Sequence, residues 1–179
     1  MIDTSSVRSI LVIKLRAIGD VLLSTVVLKN LRAAFPSARV DFLTEYPSRD
    51  VVTGNPLVDS VIIFNPKEQH GLNLILEVRK RRYDLVIDLF GNPRSAIVAY
   101  ASGAQNRVGF RLGWRKHCYD IVVEPRGGDV HNTEFNLDAL RAIGVPVIDT
   151  AITFPLDPEA RQFAGEFFHR QGLDGKFVV

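Results

Sequence analysis

Asp20 closes a short loop, Arg16-Ala17-Ile18-Gly19-Asp20, that follows an apolar run and precedes a helical pattern. A carboxylate there can accept a proton from a hydroxyl nucleophile. It can also cap the helix that begins there, and the two roles are compatible. Gly19 lets another group approach closely, and backbone amides at a helix N-terminus favour anions. The loop has one glycine and no Gly-Lys-Ser/Thr, so it is neither a dinucleotide fingerprint nor a P-loop. Dinucleotide-cofactor and ATPase readings lose their main support.

Other polar groups cluster further along. Asp88 is followed by Leu89-Phe90-Gly91-Asn92-Pro93-Arg94-Ser95. Asn92 and Arg94 suit an anionic or hydroxyl-rich ligand, because a guanidinium binds phosphate and carboxylate through paired hydrogen bonds. Gly91-Asn92-Pro93 is equally good turn chemistry, with Asn92 as a cap. Arg107, Arg111, Arg115, Lys116 and His117 are interleaved with Gly109, Phe110, Gly113 and Trp114, the densest basic stretch with aromatics in the chain. An anionic ligand, a lipid headgroup surface or single-stranded nucleic acid could use it, and so could plain solvent. His131 opens a helical pattern and could hydrogen-bond a ligand or titrate near neutral pH. Metal sites fail on spacing: His117 and Cys118 are adjacent, and His70 and His169 are isolated. No G-x-S-x-G elbow supports a serine hydrolase.

The elements that must position these groups alternate. Residues 10–15 read as a buried strand, and apolar spacing from Val21 to Phe35 reads as one helix ended by Pro36. Strands are expected at 39–44, 60–64, 84–88, 107–110 and 119–123. Helices are expected at 72–82, 93–102, 131–143 and 157–171, with Pro93 and Pro158 in first turns and Asp157 as a cap. The basic run Arg79-Lys80-Arg81-Arg82 suits a helix C-terminus, where the dipole is negative. Strands alternating with helices give an α/β fold: a Rossmann-like, open, mostly parallel sheet with helices on both faces. Lys176-Phe177-Val178-Val179 reads as the start of a further strand, which carries the expectation that the natural chain continues.

Composition agrees. The chain has 179 residues, 46% hydrophobic and 23% charged, which is ordinary globular usage. Twenty-two Lys plus Arg against 20 Asp plus Glu give +2, too balanced for bulk nucleic-acid binding. One cysteine excludes an internal disulfide framework and fits a reducing, cytoplasmic compartment. No apolar run approaches the ~18 residues of a membrane span, and no amphipathic anchor is evident.

Four stretches in order resemble the lipopolysaccharide heptosyltransferases of glycosyltransferase family 9. They are Ile10 to Thr25 with its Ile-Gly-Asp20, Tyr83-Asp-Leu-Val-Ile-Asp-Leu-Phe-Gly-Asn-Pro-Arg-Ser-Ala96, Arg107-Val-Gly-Phe-Arg111, and His131-Asn-Thr-Glu-Phe-Asn-Leu onward to Gly144. Phe90 stands where that family often has Gln. The resemblance implies the two-domain GT-B arrangement. Residues 1–175 would be its N-terminal, acceptor-side domain, and 176–179 the start of the nucleotide-sugar domain. It implies inverting transfer of heptose from ADP-heptose to the inner core of lipopolysaccharide, with no cofactor and no metal. Asp20 would be the catalytic base, and Ile18 and Gly19 would help position the donor. Arg16, Asn92, Arg94, Arg107, Arg111 and His131 would serve the anionic acceptor. The acceptor lipid implies peripheral contact with the cytoplasmic face of the inner membrane, and nucleic acid is not expected as a partner. The alternative is a non-catalytic domain that binds an anionic glycolipid or a nucleotide.

Overall fold

The computed structural model describes residues 2, 3, 6–127 and 130–175. Its elements are β1 (Ser9–Ile13), α1 (Ile18–Ser24), α2 (Val26–Ala34), β2 (Arg39–Glu45), β3 (Ser60–Phe64), α3 (Gly71–Lys80), β4 (Leu85–Asp88), α4 (Pro93–Ala101), β5 (Asn106–Phe110), β6 (Ile121–Val123), α5 (Asn132–Ala142) and α6 (Pro158–Arg170). Two 3-10 segments, Tyr46–Val51 and Gly113–Cys118, were not expected from the sequence.

All six strands are parallel, in the order β3-β2-β1-β4-β5-β6. The chain builds outward from β1 to one edge and then returns to lay β4 on the other side of β1. That reversal puts a crevice beyond the carboxyl ends of β1 and β4, the usual ligand site of such sheets. Ile13 is paired with Asp88, so the two strands end level.

The branched run in β1 explains its central place. Ile10 and Val12 enter one core with α1, α2 and α5, while Leu11 and Ile13 enter a second core with α3 and α4. All four are fully buried, as a strand covered on both faces requires. Each such side chain contributes about 1.5–3 kcal/mol of transfer free energy.

The expected single helix up to Phe35 is two helices meeting at Thr25. Ser24 Oγ donates to the Val21 carbonyl and Thr25 Oγ1 to the Leu22 carbonyl, each at 2.7 Å. These bonds compete with the helical ladder and bend the chain there. The caps follow expectation: Asn92 accepts from Ser95 N and Asp157 from Glu159 N. The α6 helix has no buried residue. Residues 176–179, expected to begin a strand, lie outside the described residues.

Candidate active site

Asp20 occupies the third position of α1, from which its carboxylate reaches back to the amide of the capping residue, Ala17. Its Oδ2 is approached by the Ala17 amide at 3.4 Å, a weak contact, and its Oδ1 accepts from Asn132 Nδ2 at 2.6 Å. Asn132 is the first residue of α5, so the α5 N-terminus is brought to the β1 loop. Asp20 is half-buried, while Arg16, Ala17, Ile18 and Gly19 are exposed. A Cβ built on Gly19 would meet nothing within 4 Å, so the rim beside the carboxylate is open. The arrangement is one oxygen firmly held and one only weakly engaged, beside an exposed loop, which suits proton acceptance.

Beneath the loop lies Lys14, 5% exposed, whose Nζ donates to the Leu89 carbonyl at 3.0 Å. It ties the loop after β1 to the loop after β4. Burial pushes its ammonium pKa down, against the charges of Asp20 and Asp88. The Phe90 ring centre lies 5.8 Å from Lys14 Nζ.

Asp88 is fully buried. Its Oδ1 accepts from the Phe90 and Gly91 amides at 3.0 and 2.9 Å, and its Oδ2 from the Tyr119 hydroxyl at 2.7 Å. Burial raises its pKa, opposed by the hydrogen bonds it accepts from Gly91, Tyr119, Ser95 and Phe90. Asp88 therefore shapes the 89–91 loop. The Tyr119 ring reaches it across Gly109 of β5: a Cβ at Gly109 would come within 2.4 Å of that ring.

The other expected residues separate into two groups. Arg94 Nη1 donates to Glu45 Oε1 at 2.9 Å, and its guanidinium lies 5.2 Å from the Phe64 ring centre. Asn92 caps α4. Arg111 follows the carboxyl end of β5 and pairs with exposed Glu124, a pairing that holds it weakly. His131 caps α5 through Nδ1, which accepts from Thr133 N at 3.2 Å. All four stand at the carboxyl edge with Arg16, Ile18, Gly19 and Asp20. Arg107 does not. It is the second residue of β5, at the amino end, where two of its nitrogens meet Asp120 at 2.8 and 2.7 Å.

Sequence reasoning missed Asn132, Lys14 and Glu45. Lys14 had a signal, a lone charge ending an apolar strand. Asn132 had none beyond its neighbourhood to His131. Cys118 is buried and its thiol pKa is pushed up by burial, which makes it a poor nucleophile. Among the described residues no group of three or more His, Cys, Asp or Glu could hold a metal ion. No helix among them is long and apolar enough to cross a membrane.

An open parallel α/β sheet with a carboxylate at its switch point defines a Rossmann-like domain. Comparison with known proteins narrows the class: the chain resembles the lipopolysaccharide heptosyltransferases of glycosyltransferase family 9. It is 30% identical over 132 residues to lipopolysaccharide heptosyltransferase 1 of Campylobacter coli, covering 72% of this chain and 36% of that protein. It is 28% identical over 174 residues to lipopolysaccharide heptosyltransferase 3 of Escherichia coli, covering 90% of this chain and 50% of that one. No family model matches the sequence. The crystal structure of a family 9 glycosyl transferase from Veillonella parvula superposes with a TM-score of 0.79 at 24% identity, covering 93% of this chain and 50% of that one. Heptosyltransferase WaaC of Escherichia coli, solved with ADP, gives 0.68 at 20% identity, covering 80% and 51%. These structures have the GT-B fold, and the chain spans about half their length.

Proposed function

We propose that this chain is the N-terminal, acceptor-side half of an inverting glycosyltransferase that moves heptose from ADP-heptose to the inner core of lipopolysaccharide. Residues 1–175 form that half. The supporting observation is Asp20 at the switch-point edge, with Oδ1 held firmly by Asn132 and Oδ2 engaged only by the weak 3.4 Å contact from the Ala17 amide. It stands beside the sequence similarity to heptosyltransferases.

The chemistry follows from that geometry. Asp20 Oδ2 takes the proton of the acceptor hydroxyl as its oxygen bonds to the anomeric carbon. The bond from that carbon to the diphosphate oxygen breaks, and its electron pair leaves with ADP. Attack from the face opposite ADP inverts the centre. Such a positioned base is worth ~10²–10⁴ in rate. The Asn132 amide turns the carboxylate and leaves Oδ2 with only the weak Ala17 contact. Gly19 and Ile18 form the rim over which the donor sugar approaches. Arg16, Arg94 and Arg111 supply positive charge for the anionic acceptor, with Asn92 and His131 beside them. Arg107 is outside this role, because it is committed to Asp120 at the far end of the sheet. The acceptor is lipid-borne, which places the protein at the cytoplasmic face of the inner membrane.

The test is transfer of labelled heptose from ADP-heptose to heptose-deficient lipopolysaccharide by the protein isolated from its source, with intact mass measured on the same sample. Label in the core supports the proposal. A catalytically silent protein that still binds the glycolipid would overturn it.

A further inference from the structure

Five large apolar side chains project from one side of the molecule without serving its core. They are Leu72 and Leu76 of α3 (65% and 50% exposed), Ile97 and Tyr100 of α4 (46% and 58%), and Trp114 of the 113–118 segment (56%). The inward faces of the same elements fill the second core with Leu74, Val78, Val98, Ala99 and Cys118. The three elements lie side by side. Ile97, Tyr100 and Trp114 line one shallow depression with His117. Leu76 lines another with Arg79, Lys80 and Arg82. Arg79 joins the two by reaching the Ala101 carbonyl at the end of α4.

Most of the cations on this side are unmatched. Arg79, Lys80, Arg115 and Lys116 stand on these elements, whose one acid, Glu77, is bound to Arg81, while Arg94 at the start of α4 is taken by Glu45. Arg79 and Arg115 meet only backbone carbonyls. The side chains of Lys80, Arg82 and Lys116 have no hydrogen-bond or ion-pair partner among the described residues. On the opposite side, every basic residue of α2, α5 and the 124–127 loop is ion-paired: Lys29, Arg32, Arg126 and Arg141.

An apolar strip carrying Trp and Tyr, bordered by cations that pair with no acid among the described residues, matches an interface of acyl chains below and anionic headgroups above. Aromatic rings settle at that depth, long basic side chains reach up to the phosphates, and each cation gains from a negative surface. We propose that the outer face of α3, α4 and the 113–118 segment docks on an anionic lipid bilayer. The surface stands apart from the Asp20 edge and does not depend on the transfer reaction.

Trp114 is the one tryptophan of the chain, so its emission reports this surface alone. The experiment titrates the full 179-residue chain with vesicles of phosphatidylcholine containing about one-third phosphatidylglycerol. The emission should move to shorter wavelength, and added salt should reverse it. The double variant Lys80→Gln/Lys116→Gln should bind about 25-fold more weakly, about fivefold per cation. An unchanged urea midpoint shows that this variant is folded; Ile97→Ser, assayed the same way, should also weaken binding. The proposal is overturned by an absent shift, by an equal shift on pure phosphatidylcholine, or by undiminished binding of the double variant. It is also overturned if the shift appears with rising protein concentration and no vesicles, which would make a second copy the occupant.

Discussion

At the amino end of the sheet, Asp84 accepts from the Arg8 amide, the Ser9 amide and the Ser9 hydroxyl, and Arg107 grips Asp120 with two nitrogens. At the carboxyl end, Asp20 has one firm partner, and Arg16 has none among the described residues. Polar groups that hold the fold saturate each other. Groups with work left to do keep capacity unspent, and that capacity lies on the edge where the strand order reverses.

The largest expected effect tests this division at its functional pole. Asp20→Asn should lower turnover at least ~100-fold, about 2.7 kcal/mol in the barrier, with donor binding largely kept. Near-normal turnover would remove Asp20 from the base role. Asp84→Ala strips the partner from three donors at the other pole. It should cost about 2 kcal/mol in a urea titration and leave the acceptor KM unchanged; a raised KM would dissolve the distinction between the two ends. A smaller effect separates two arginines of one strand region. Arg111→Ala, like Arg94→Ala, should raise the acceptor KM about tenfold, more than the donor KM, on losing a charge-assisted contact. Arg107→Ala should raise neither KM and cost about 1 kcal/mol of stability. Equal KM shifts from Arg107 and Arg111 would break the comparison.

The smallest effect is a slope. Burial holds the Asp88 carboxyl above its ordinary range, so the folded chain keeps that proton to higher pH than the unfolded chain. The associated stability is complete below the unfolded carboxyl's pKa and declines as pH rises through the raised value. Asp88→Asn removes that decline. The variant's stability relative to the parent should therefore grow from about pH 4 upward, by at most about 1.4 kcal/mol per pH unit. A difference independent of pH in urea titrations would show that Asp88 titrates like an exposed carboxylate.

Much of this was legible in the residues because the signals are local. Ser60 to Phe64 is a strand with the expected bounds, and Asp84-Leu-Val-Ile-Asp88 frames β4 as expected. Branched runs between turn residues leave few other choices. The break at Thr25 was hidden because apolar spacing continues through it and only the hydroxyl bonds reveal it. Arg107 and Arg111 looked equivalent in sequence. Four residues of strand put them ~13 Å apart along the sheet, at opposite ends. The Asn132–Asp20 bond spans 112 positions, and no local pattern announces such a pairing. The exposed apolar strip was illegible for the same reason: it is shared among α3, α4 and the 113–118 segment, so no one helix carries an amphipathic pattern for it.

Gly109, Tyr119 and Asp88 have a consequence for how such chains can be recombined. The ring of Tyr119 fills the volume that Gly109 leaves empty, and its hydroxyl anchors the carboxylate that shapes the 89–91 loop. A chimaera that takes residue 109 from one parent and residue 119 from another can bring together a side chain and a ring that compete for the same space. It would lose the anchor of a loop some 20 positions upstream, although no residue of that loop had changed. The three positions are inherited as one unit, and crossover points that respect the unit fall before β4 or after Tyr119.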